Sequence, residues 1–206
     1  MSVIPELNKR LFLALWPDQS FRAGLAEMEG FLRRNISGQW IKPDNLHLTL
    51  LFIGETSPER LPLVRELAAS CTTPPFTLPL ERVECWTNGI VCLSSKAMPE
   101  ALGTLATALS RKFGHAGFEV DRRPFRAHLT LARKGRAAHK LALLPDTLVW
   151  KVHEFCLVES LLTPSGAVYS VRECWPLIDP ILPGEDAWRE LLASNHPEGT
   201  VSQSVY

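Results

Sequence analysis

A tetrapeptide that occurs twice constrains this chain more than any other feature: His47-Leu48-Thr49-Leu50 returns as His128-Leu129-Thr130-Leu131. With ordinary composition, the chance that any two of the six histidines share all three following residues is on the order of one in a hundred. Each copy lies in a run with the alternation of a strand, NLHLTLLFIGE from 45 to 55 and FRAHLTLAR from 125 to 133. Successive side chains of a strand point to opposite faces. Leu46, Leu48, Leu50 and Phe52 then share one face, and Asn45, His47 and Thr49 the other. In the second copy Phe125, Ala127, Leu129 and Leu131 oppose Arg126, His128 and Thr130. Each strand offers an apolar face to a core and, opposite, an imidazole with a hydroxyl roughly 6 to 7 Å along. Two such strands side by side would frame a cleft.

Two histidines facing one cleft suit a reaction in which one proton is removed and another delivered near neutrality, because imidazole titrates near 6.5. Phosphodiester cleavage has that requirement. One histidine takes a proton from water and the other protonates the departing ribose oxygen, each transfer being worth about 10² to 10⁴ in rate. Thr49 and Thr130 can donate to the phosphate oxygens, where charge grows in the transition state. No metal is needed, and the histidines lack an H-x-x-x-H spacing or carboxylate partners at ligand spacing. Arg126 falls on the cleft face by parity, whereas Arg133 falls on the wrong face unless a bulge or the strand end turns it; either could clamp phosphate. His115, His139, His153 and His196 read as ordinary polar residues, and Phe12, Trp40 and Trp86 as core rather than stacking platforms.

Lys plus Arg equals Asp plus Glu at 22 each, so no global positive field draws the chain to long duplexes, and phosphate recognition has to be local. With 46% hydrophobic residues in 206, the chain can bury a substantial core. Five cysteines without a C-x-x-C pair fit a reducing cytoplasm. No export signal or membrane-length apolar run is evident.

The apolar run Leu11 to Trp16 predicts a strand buried on both faces, and Asp18 caps a helix carrying Phe21, Leu25, Met28 and Leu32. Ser57-Pro58-Glu59 opens a second helix, to about Ala69. Asn88-Gly89 joins strands 76–86 and 90–94 as a hairpin. A third helix spans Met98 to Phe113 with Gly114 as its cap, residues 134–147 form a polar loop, and strands follow over 148–161 and 167–175. The order implies an α+β fold of two similar sheet-plus-helix lobes around a central groove, one domain over 1–178. A loosely docked or disordered extension follows over 179–206.

The paired His-x-Thr motifs resemble those of the 2H phosphoesterase superfamily, and within it the bacterial RNA 2′,3′-cyclic phosphodiesterases, also called 2′-5′ RNA ligases. The resemblance covers roughly residues 10 to 177 and includes the opening RLFLAL strand with Trp16-Pro17, both histidine blocks, and the run from Glu159 through Tyr169 to Trp175. Ala127 departs from the family, which usually has proline there. The resemblance implies a bilobal α+β fold, His47 and His128 as catalysts, Thr49 and Thr130 on the phosphate, and Arg133 as a further phosphate ligand. It also implies opening of RNA 2′,3′-cyclic phosphate ends, with reversible 2′-5′ ligation; no metal or cofactor is expected, and the chain is expected to act as a cytoplasmic monomer. With Arg126 and Arg133 near it, His128 is expected to stay neutral and act as base, leaving His47 as acid and a 2′-phosphate as product. The alternatives are a non-catalytic RNA-end or nucleotide binding module, which would not need two proton-transfer groups, and a metal-dependent hydrolase, which a chelator would inactivate.

Overall fold

In the computed structural model, residues 7–137, 141–164 and 166–178 are described; the expected extension over 179–206 lies outside them. The first strand, β1 (Lys9–Leu15), is buried on both faces. Leu11, Leu13 and Leu15 enter the main core, while Phe12 and Ala14 pack into a smaller cluster on the opposite side. Pro17 ends the strand, and the Asp18 carboxylate accepts the backbone N–H of Phe21 at 2.8 Å to cap α1 (Gln19–Glu27). The single helix expected there breaks at Met28, and α2 (Glu29–Asn35) follows. Next comes β2 (Ile36–Trp40), which the sequence did not signal because only Ile36 of its five residues is fully buried.

The first histidine block enters through a 3₁₀ turn at Pro43–Asn45, so β3 (Leu48–Thr56) begins just after His47. Then come α3 (Leu61–Ala69), β4 (Phe76–Cys85), β5 (Val91–Ser94), α4 (Glu100–His115), β6 (Leu129–Ala137), β7 (Leu141–Val152), β8 (Glu154–Thr163) and β9 (Gly166–Pro176). The β4–β5 hairpin forms as expected, with Gly89 at φ +79°. Helix α4 runs through Gly114 and stops ahead of Gly117 (φ +76°), which takes the left-handed position expected of Gly114. The expected polar loop over 134–147 is largely strand, and the one strand expected over 148–161 is two, parted at His153.

Two antiparallel sheets result, ordered β3-β1-β8-β9 and β2-β6-β5-β4-β7. Helices α1 and α2 pack on β7 and β2 of the five-stranded sheet, whereas α4 packs on β3 of the four-stranded one, with α3 beside it. The architecture is α+β with two sheet-plus-helix lobes, but the lobes are not sequential halves: the first sheet takes β1 and β3, then waits for β8 and β9. The two histidine strands therefore lie in different sheets rather than side by side. One continuous core, from Leu13 to Phe113 and Trp150, joins them, and each fully buried large apolar side chain in it contributes about 1.5–3 kcal/mol.

Register places Cys156 directly opposite Cys174 on β8 and β9, and the two form a disulfide. This corrects the reading of five thiols: the pair is brought together across strands, which residue spacing does not reveal. Cys71, Cys85 and Cys92 are free. No helix among the described residues is long and apolar enough to cross a membrane.

Candidate active site

Both histidine strands carry the same irregularity. On β3, pairing jumps from Thr49 opposite Ala14 to Leu51 opposite Leu13, leaving Leu50 as an extra residue. On β6 it jumps from Thr130 opposite Cys92 to Ala132 opposite Val91, leaving Leu131 extra. Each bulge falls on the last residue of the tetrapeptide, and a bulge reverses the facing of everything beyond it. Leu50 and Leu51 are thus both buried, as are Leu131 and Ala132. The residue five beyond each histidine then turns outward: Arg133 into the groove, and Phe52, expected in the core, to 45% exposure.

The groove between the lobes has a volume of about 310 Å³ and is lined by His47, Thr49, His128, Thr130 and Arg133 together. The two histidines are held alike. Nδ1 of His47 lies 2.7 Å from the carbonyl oxygen of Asn45, and Nδ1 of His128 lies 2.7 Å from that of Arg126. A carbonyl only accepts, so Nδ1 carries the hydrogen and Nε2 is left to exchange a proton with substrate. Each ring also rests against a tryptophan, His47 on Trp16 at 5.6 Å and 11°, His128 on Trp86 at 4.5 Å and 53°. Phe12 at 4.9 Å and Tyr169 at 5.1 Å close further around His47.

Burial lowers the pKa of His47; the hydrogen bond to Asn45 opposes it, and the charges of Arg133 and His128 add to it. Burial likewise lowers that of His128, with Arg126 and Arg133 reinforcing the shift and the Arg126 carbonyl and Glu84 opposing it. The positive field expected at His128 alone thus bears on both imidazoles.

Neither threonine hydroxyl has a hydrogen-bond partner among the described residues, and neither does the Arg133 guanidinium. Arg126 does not line this groove. It pairs with Glu84 and lies over the Trp86 ring at 4.5 Å, while Glu84 also accepts from Trp86 Nε1 at 3.0 Å and Ser94 at 2.6 Å. That corrects its expected role: parity placed it on the cleft side, but residues before Leu129 are not in the strand, and its charge is already partnered. Trp86 braces His128 instead of filling the core, whereas Phe12, 3% exposed, is core as expected.

Sequence reasoning missed Lys42 and gave Asn45 a place on the His47 face but no role; both line the groove, and Asn45 Nδ2 donates to the carbonyl of Ala167 at 2.9 Å and ties the β8–β9 hairpin to the groove mouth. Tyr169, a member of the closing run, joins them. No carboxylate among the described residues lines the groove. Among the described residues the one cluster of three potential metal ligands is Glu154 with Cys156 and Cys174, whose sulfurs are joined to each other.

Two antiparallel lobes with a His-x-Thr strand from each meeting at one groove define a two-histidine phosphoesterase. Residues 17–163 match the family described as the 2′-5′ RNA ligase superfamily, and the chain belongs to it. It is 33% identical over 175 residues to an RNA 2′,3′-cyclic phosphodiesterase of Archaeoglobus fulgidus, covering 78% of this chain and 96% of that one. Among solved structures, apo LigT of E. coli superposes with a TM-score of 0.76 at 29% identity, covering 84% of this chain and all of that one. LigT complexed with 3′-AMP gives 0.75 at 28% identity, covering 84% of this chain and 99% of that one.

Proposed function

We propose that this chain opens 2′,3′-cyclic phosphate ends of RNA by two-histidine acid–base catalysis, leaving a 2′-phosphate. The observation that carries the reading is the matched presentation of two Nε2 atoms, fixed by carbonyl bonds at Nδ1, across a groove with two hydroxyls and a guanidinium that have no partner among the described residues. The names of the relatives and the 3′-AMP seen on LigT support a nucleotide end as substrate.

In the step we assign, His128 accepts a proton from water as the water oxygen bonds to phosphorus. The P–O3′ bond breaks, and His47 delivers its proton to O3′. Thr49, Thr130 and Arg133 hold the equatorial oxygens as charge builds on them. Arg133 disfavours the charged form of both imidazoles, and at His128 the Arg126 guanidinium is opposed by Glu84, so the leaving-group test below, rather than the field, divides base from acid. If the 5′-hydroxyl of a second RNA replaces water, the same displacement forms a 2′-5′ linkage. The donor set of imidazoles, hydroxyls and a guanidinium without a carboxylate supports metal-independent chemistry. Every group comes from one chain, which supports action as a monomer, and we place it in the cytoplasm on the chemistry of its substrate.

His47→Ala and His128→Ala should each cut hydrolysis of adenosine 2′,3′-cyclic phosphate by about 10² or more. On a cyclic ester whose leaving group needs no proton, His47→Ala should regain activity and His128→Ala should not. The reverse pattern would exchange the roles. Retention of rate by either variant on the unactivated substrate would end the two-histidine reading, as would loss of wild-type activity to a chelator for the metal-free part.

A further inference from the structure

The catalytic groove is continuous with a larger one. A second cavity of about 890 Å³ shares Thr49 and His128 with it and runs between α4 and the extended segment 120–126. In a chain of zero net charge, this cavity gathers Arg111, Arg122, Arg123 and Arg126 against one carboxylate, Asp121. Asp121 is itself bound by Arg123, and Arg126 by Glu84. Arg111 and Arg122 are exposed and make no ion pair or hydrogen bond among the described residues. The same cavity is lined by Phe52, turned outward beyond the Leu50 bulge to 45% exposure with Arg10 over its ring at 4.9 Å, and by Trp86, whose ring is already taken up by His128 and Arg126.

Unpaired guanidiniums beside an exposed aromatic ring are the chemistry of a single-stranded nucleic acid track, with phosphates on the cations and a base on the ring. A cyclic phosphate closes the 3′ end of its strand, so the rest of that strand must leave the reacting phosphorus on the 5′ side. We infer that it leaves here: the groove of Arg111, Arg122 and Phe52 binds the single-stranded RNA that precedes the cyclic phosphate. The inference rests on the reading of the catalytic groove as a cyclic-phosphate site and makes the favoured substrate an oligonucleotide rather than a mononucleotide.

The test is binding, followed by turnover. A 5′-labelled single-stranded oligoadenylate ending in a 2′,3′-cyclic phosphate is titrated against wild type and the Arg111→Gln/Arg122→Gln double variant at about 50 to 200 mM salt. A control, Arg34→Gln/Lys151→Gln, removes the same charge from outside the groove. Loss of two phosphate contacts should flatten the slope of log affinity on log salt by about 1.4, so that wild type loses about sevenfold more affinity than the variant over that range. The control should follow wild type. The variant should also lose its kcat/KM preference for the oligomer over adenosine 2′,3′-cyclic phosphate while its rate on the mononucleotide stays within about twofold of wild type. Oligomer binding that is indifferent to Arg111 and Arg122, or equally weakened in the control, overturns the inference. A blunt duplex bound as tightly overturns its assignment to a single strand. Binding as expected without hydrolysis of either substrate would instead strike the reading of the catalytic groove and leave the track standing.

Discussion

His47 and His128 are each held by a carbonyl behind the ring and a tryptophan against it, and both stand in a half-buried, positively charged setting that disfavours imidazolium. The base needs the neutral form and the acid the charged one, so with both pKa values below the ordinary 6.5 the kcat/KM of free enzyme should peak on the acid side of that value. Arg133 contributes to both shifts, so Arg133→Gln should raise both pKa values and move the peak to higher pH. Arg133→Lys, which keeps the charge but not the two-pronged grip, should leave the peak in place and raise KM. A peak unmoved by the glutamine variant would mean that Arg133 does not set the proton affinity. The same shifts bear on stability. A histidine whose folded pKa is lowered contributes stability that is complete above the unfolded value near 6.5 and is lost as pH falls through the folded one, so the protein should weaken on acidification in that window. That His47, Thr49, His128 and Thr130 would share one groove was legible from the repeat, because identity and parity suffice to place them. Arg133 and Arg126 were not, since a bulge at Leu131 turns the one and the other lies ahead of the strand, where parity does not hold.

The edge pair β2–β6 carries Arg133, and two glycines make it possible. Gly38 has φ +137°, and a Cβ there would sit 2.6 Å from the Cα of Gly135. Gly38→Ala therefore meets both a strained backbone and a clash, and should cost about 1–3 kcal/mol. It should also push Gln39, the register partner of Arg133, and so raise KM for the cyclic nucleotide more than it lowers kcat. Denaturant midpoints and steady-state kinetics check the two parts, and an unchanged midpoint would show that β2 can slide without loss. Apolar periodicity and turn chemistry made β1, the β4–β5 hairpin and most of the helices readable. β2 escaped because a short edge strand with one exposed face has little apolar content to announce it, and the first half of β7 because its apolar run 141–144 leads into Pro145-Asp146, which reads as a turn but sits at an irregularity within the strand.

Because the four-stranded sheet draws on both ends of the described chain while a single core joins it to the other, residues 7–178 should open as one unit. Amide exchange at Leu13 in β1 and Leu93 in β5, both fully buried, should report the same global free energy within about 1 kcal/mol. An opening of either sheet several kcal/mol below the other would make the lobes separate domains. The sequence order suggested two consecutive lobes because strand and helix signals are local, whereas the pairing of β1 with β8 is not.

That pairing also sets a schedule for the protein's birth. On a ribosome adding about 5–20 residues per second, roughly 5 to 20 seconds separate the emergence of β3 from that of β8. Through that interval β1, continuous in its apolar character, has β3 on one side and an open edge on the other. The nascent chain must shelter that edge, and the groove stays half built, with His47 waiting for Tyr169, until almost the whole of the described chain has been made. A truncated translation product would thus be a sticky polypeptide without the complete groove.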